Sequence, residues 1–140
     1  MKARLLWLGA VLLLAASARA QQPNDPMGEN FFAPELVMQN QQAIGLSEEQ
    51  RDSLKTELRQ AQMKFTEWQW KLQDEMEKLV LLAKQPRVDE QQALAQLEKV
   101  LSIEREVKRA QVALLVRIKN KLTPEQQAKL VEIRGKSATK

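Results

Sequence analysis

Two long stretches in which apolar residues recur every three or four positions, joined by a short segment containing Pro86, restrict this chain to a hairpin of two long helices. The first stripe is Leu54, Leu58, Ala61, Phe65, Trp68, Leu72, Met76, Leu79 and Ala83. The second is Ala93, Leu97, Val100, Val107, Ala110, Leu114 and Ile118, with a drift of the face near Ile103 and Glu104. That spacing is the period of an amphipathic α-helix. It predicts helices from Glu48 to about Lys84 and from Glu90 to about Lys121, roughly 55 and 48 Å long at 1.5 Å per residue. The connection from Gln85 to Asp89 is short enough to force the two to run antiparallel. A slender hairpin cannot bury every apolar side chain. Met63, Trp70, Val80, Leu82, Leu94, Leu101, Val112, Leu115 and Val116 fall off the stripes, and surplus apolar surface of this kind implies a second interface. A homodimer is the simplest way to supply one.

The helix starts are written twice in the same five-residue form, Leu46-Ser47-Glu48-Glu49-Gln50 and Leu122-Thr123-Pro124-Glu125-Gln126. Ser47 and Thr123 can each accept a hydrogen bond from an orphan backbone N–H. Gln50 and Gln126, three residues on, can return to the cap's own N–H, as in a capping box. Pro124 occupies the first helical position, where its missing N–H costs nothing. Asp89 with Gln92 is a further cap. Pro34 opens a short first helix expected to reach about Ile44, with Gly45 as its stop, and a short last helix is expected from Pro124 to Arg134, stopped by Gly135. The fold class is therefore all-α: a short first helix, two long antiparallel helices and a short C-terminal helix.

The expected organisation is a cleaved signal peptide over 1–20, a flexible arm over 21–33, a helical domain over 34–135 and a disordered tail over 136–140. Lys2 and Arg4 precede an apolar run from Leu5 to Ala16, and Ala18-Arg19-Ala20 is a small-x-small cleavage site. The run is shorter than the roughly 20 residues needed to span a bilayer, so no stable membrane insertion is expected. Loss of Lys2, Arg4 and Arg19 with the leader leaves 19 of the 22 basic residues against 18 acidic ones. The mature chain is thus nearly neutral, and no nucleic-acid partner is expected. Phe31 and Phe32 interrupt the polar arm, either to staple it to the body or to offer an apolar hook to a partner.

Histidine, cysteine and tyrosine are absent. A histidine-based triad, a thiol nucleophile and a disulfide framework are all excluded, no glycine-rich phosphate loop is present, and neither an enzyme nor a cofactor is expected. Without imidazole or thiolate, metal binding is not expected. Oxygen clusters at Glu48 and Glu49, at Asp74, Glu75 and Glu77, or at Glu104 and Glu106 read as solvated helix faces, and Met38, Met63 and Met76 as gap fillers rather than Cu(I) ligands. Trp68 and Trp70 lie about 200° apart around one helix. Trp70 therefore faces a dimer seam or an open surface.

A chain with a leader, this order of helix lengths and paired L-[ST]-x-x-Q boxes resembles the Spy/CpxP superfamily of periplasmic proteins over roughly Pro34 to Arg134. The second box matches the family motif fully, and the first has Ser47 in place of Thr. The resemblance implies a cradle-shaped helical homodimer of the envelope stress response. It implies for Spy-like members an ATP-independent chaperone of unfolded or misfolded periplasmic clients, and for CpxP-like members an adaptor restraining a sensor kinase. ZraP-like and CnrX-like relatives bind or sense metals through histidine, and in some cases cysteine. A chaperone surface should mix apolar patches with cations whose stems lie on apolar ground. Met63 and Trp70 with Lys55, Arg59, Lys64 and Lys71, joined by Lys108, Arg109 and Arg117 from the other long helix, are the candidates for client binding.

Overall fold

The computed structural model describes residues 26–139; the signal peptide expected over 1–20 and the start of the expected arm lie outside the described residues. The chain divides into two compact units, 1–30 and 31–140. The described part of the first is a single turn of helix, α1 (Pro26–Asn30), closed by Asn30 Nδ2 donating to the Pro26 carbonyl at 2.6 Å. The arm expected to be flexible is therefore helical over these five residues.

The second unit contains α2 (Pro34–Gln39), α3 (Glu48–Ala83), α4 (Glu90–Lys121) and α5 (Pro124–Ser137). The two long helices are those the stripes predict, and cross-links between them pair Gln50 with Lys121, Glu57 with Arg117, and Glu75 with Gln96. Residue numbers rise along one helix as they fall along the other, so the pair is antiparallel. Asp89 caps α4 by accepting from the Gln92 N–H at 3.1 Å.

Two helix ends differ from the sequence expectation. α2 stops at Gln39 rather than near Ile44, because the Asn40 amide donates to the Leu36 carbonyl at 2.7 Å, offering the backbone a side-chain partner in place of the next helical turn. The chain then turns through residues 40–45, and Gly45 stands at φ +68°, the left-handed conformation that glycine adopts without steric cost. Gly135 does not stop α5, which runs on to Ser137. Glycine ends a helix only where a left-handed residue is required, and nothing at 135 requires one.

The stripe of α3 also shifts. Toward the hairpin tip the half-buried positions are Leu72, Glu75, Leu79 and Leu82, while Met76 and Ala83 are exposed. The observed inner face keeps a strict alternation of fours and threes, the 3.5-residue repeat of two helices that wind about each other, whereas the apolar stripe follows the 3.6-residue period of a straight helix and so runs one residue ahead by the tip. Ile103 is half-buried and continues the α4 stripe.

The core sits at the open end of the hairpin. Phe32, Val37, Ile44, Leu46, Leu54, Ile118, Leu122 and Leu130 form one buried cluster, with Leu36, Met38, Leu58, Leu114 and Ile133 packed against it. Phe32 is thus a staple and not a hook. Phe31 is half-buried; the Lys119 ammonium lies 5.7 Å from its ring centroid, and Arg134 donates to its carbonyl at 2.9 Å while stacking its guanidinium over Phe32.

Candidate functional site

Both boxes form as read: Gln50 N–H donates to Ser47 Oγ and Ser47 N–H to Gln50 Oε1, with the same exchange between Thr123 and Gln126. What the residue spacing does not reveal is that the two glutamines meet. Gln50 Nε2 donates to Gln126 Oε1 at 2.8 Å, and Gln126 Nε2 donates to Gln50 Oε1 at 3.0 Å. The remaining amide protons go to the Lys121 carbonyl from Gln50 and to the Gly45 carbonyl from Gln126. Each amide then makes two donations and two acceptances, its full capacity. Leu46 and Leu122 are buried beside this pair in the core. The boxes are a structural lock that joins the start of α3 to the start of α5.

Lock and core hold one end of the hairpin, and beyond them the two long helices have little covering them. A groove of about 570 Å³ opens between α3 and α4, lined by Gln60, Ala61, Met63, Lys64, Phe65, Glu67, Trp68, Ala110, Ala113, Leu114 and Arg117. Its floor is apolar, and the small side chains Ala61, Ala110 and Ala113 open the space. The Phe65 and Trp68 rings stand 6.0 Å apart and tilted by 50°, and the Lys64 ammonium lies 5.6 Å from the Trp68 ring centroid. A second groove of about 500 Å³ lies on the other flank of the shared Ala61, Phe65 and Leu114, bounded by Pro34, Glu35, Met38, Leu58, Gln62, Thr66 and Gln69.

Of the predicted surface, Met63, Lys64 and Arg117 come together at the first groove. Arg117 is held loosely, 3.5 Å from Glu57, and Lys71 is occupied by Glu67 at 2.7 Å. That pairing holds the Glu67 carboxyl below its ordinary range, chiefly through the hydrogen bond from Lys71. Trp70 is exposed and lines neither groove. Lys55, Arg59, Lys108 and Arg109 are exposed and line neither groove as well. At about 100° per residue Lys55, Arg59 and Trp70 face away from Lys64 and Lys71. The predicted residues therefore form several patches rather than one.

Reasoning from the sequence put Ala110 on the inner stripe of α4 but marked neither it nor Ala113 as lining an open groove. Their signal was present: small residues on α4 at the register that an antiparallel hairpin brings opposite Ala61. Among the described residues, no three His, Cys, Asp or Glu side chains converge as a metal-binding group. Of the acidic residues singled out, Glu75 is committed elsewhere, accepting from Lys78 at 2.8 Å and from the buried Gln96 amide at 2.6 Å.

No curated protein and no solved structure matches this chain. A family model does: that of heavy-metal resistance, related to the Spy/CpxP helical superfamily, matches residues 5–129, and the chain belongs to that family.

Proposed function

We propose that this protein is an exported, ATP-independent chaperone of the periplasm that holds unfolded or misfolded proteins on the mixed apolar and basic surface of its hairpin. The observation that carries this reading is the first groove, an open apolar floor containing Phe65 and Trp68 between lips that bear Lys64 and Arg117. Such a surface favours weak, reversible capture, since apolar area supplies affinity while the exposed cations steer encounter. The family is typically periplasmic and non-enzymatic, and no described helix is long and apolar enough to cross a membrane. Export with cleavage after Ala20 and assembly as a homodimer belong to the same proposal. Exposed Met76, Val80, Leu94 and Leu101 on the hairpin support the dimer.

The test is light scattering of an aggregating model client at stoichiometric ratios. The wild-type protein suppresses aggregation. Met63→Ser weakens suppression while the helical circular dichroism stays unchanged, and Trp70→Ser does so to a smaller extent because Trp70 stands outside the groove. Full suppression by Met63→Ser would remove the groove from the proposal; none by the wild type would remove the chaperone and favour a sensor-kinase adaptor. Metal resistance is the second reading, supported by the family description, and calorimetric titration with zinc and with copper separates it. Tight stoichiometric binding would establish it in place of the chaperone.

A further inference from the structure

The chain has five methionines and no cysteine, so two-electron oxidation of its sulfur falls entirely on thioethers. Their positions are unequal. Met63 has 62% of its surface exposed, against 41% for Met27 and for Met76, and Met38 is half-buried against the core. Met63 is also the one of these four that lines the groove containing Phe65 and Trp68. Oxidation rate follows exposure, and the product is a polar, chiral sulfoxide in place of a flexible apolar chain. The lips add a charge argument. Lys64 sits next to Met63, and Arg117 opposite is 61% exposed with only a 3.5 Å contact to Glu57. Glu67 lines the same groove but is paired with Lys71 at 2.7 Å, so the Lys64 and Arg117 cations are left to attract anionic oxidants such as hypochlorite.

We propose that Met63 is an oxidation site that controls the groove, its thioether being converted to the sulfoxide by hypochlorite or a related oxygen-donating oxidant. The oxidant's oxygen is transferred to Sδ. The sulfur loses two electrons, and the chlorine of hypochlorite gains them and leaves as chloride. No proton of the protein is consumed. The sulfoxide puts a strong hydrogen-bond acceptor at the edge of an apolar floor, and apolar segments then bind there less well. The consequence for clients rests on the chaperone reading above; the selectivity of oxidation does not.

The experiment treats the purified protein with about one equivalent of hypochlorite and maps the products by peptide mass spectrometry. Met63 sulfoxide is expected to form roughly twofold faster than Met76 sulfoxide, and faster still than that of Met38. Faster oxidation at Met76 or Met38 would overturn the proposal. Groove occupancy is read in parallel with an environment-sensitive apolar dye. Oxidised wild type loses dye emission, Met63→Gln has the lowered emission without oxidant, and Met63→Leu shows no further loss on oxidation relative to its own untreated emission. Equal loss by oxidised Met63→Leu and oxidised wild type would assign the change to another residue and overturn the control role. Aggregation suppression is measured on the same samples: a wild type that never suppresses removes the chaperone reading, while the mapping and dye arms still decide the fate of Met63.

Discussion

The Gln50–Gln126 amide pair ties two local devices into one tertiary contact, and it separates the energetic roles within each box. Ser47 and Thr123 are exposed and supply one hydrogen bond each to a backbone N–H; replacing either with alanine costs about 1 kcal/mol. Gln126 is buried to 7% exposure. Truncating it removes the partner of the Thr123 N–H, of the Gly45 carbonyl and of half of the Gln50 amide at once in a part-buried site. Unsatisfied buried groups cost about 1–3 kcal/mol each, so Gln126→Ala should exceed Thr123→Ala in urea unfolding. Because the two amides satisfy each other, Gln50→Ala and Gln126→Ala should be non-additive in a double-mutant cycle by at least about 0.5 kcal/mol. Strict additivity would mean that the pair carries no coupling. The capping role is legible in the sequence because it spans four residues of backbone. The pairing is not, because 76 positions separate the partners and neither box specifies the face the other presents.

At the level of the elements, the stripes dictate the hairpin, but glycines and polar residues at inner positions are read correctly only in place. Gly45 and Gly135 look alike as helix stops after apolar runs. Gly45 is at φ +68°, whereas Gly135 lies inside α5, and a methyl group there meets nothing within 4 Å. Gly135→Ala should therefore stabilise the protein by about 0.5–1 kcal/mol, and Gly45→Ala should destabilise it by about 1 kcal/mol. Thermal unfolding of the two variants checks the opposite signs. Glu75 and Gln96 place a polar contact between α3 and α4 where the stripe leads one to expect Met76. Gln96 donates to both the carboxylate and the carbonyl of Glu75, a connection that fixes the helix register as polar residues do in coiled coils. Hydrogen bonds from Lys78 and then Gln96 hold the Glu75 carboxyl below its ordinary value of 4.5, with Lys99 adding a smaller attraction. A depressed carboxylate stabilises the fold at pH above 4.5, and that stability is lost as pH falls through the folded value below it. Wild type should lose stability over this acidic window more steeply than Glu75→Gln, measured by urea midpoints across pH. Parallel curves would show that Glu75 contributes nothing.

For the second unit as a whole, burial is distributed unevenly. All eight cluster residues lie near Gln50 or Gln126 in sequence, and those two glutamines meet at one end of the hairpin; toward the tip, Gln96 and Val100 are the buried residues of α4, and α3 has none beyond Leu54. The stripes make the two halves of the hairpin look equivalent, since a periodic pattern reports which face is inward and not how much covers it. What covers the open end is α2, α5 and Phe32, elements too short or too irregular for periodicity to place. Local stability follows buried apolar contact, so amide exchange should be graded along the hairpin. Amides near Leu54 and Ile118 should exchange only by global unfolding. Those from Leu79 to Ala83 and from Ala93 to Gln96 should exchange through a local opening of lower free energy, with a weak dependence on denaturant. The groove lined by Phe65 and Trp68 lies between the locked end and the tip. Native-state hydrogen exchange by mass spectrometry, run at several protein concentrations, gives the answer. Uniform protection from end to end at every concentration would refute the gradient, and protection of the tip that rises with concentration would identify a second copy as its cover.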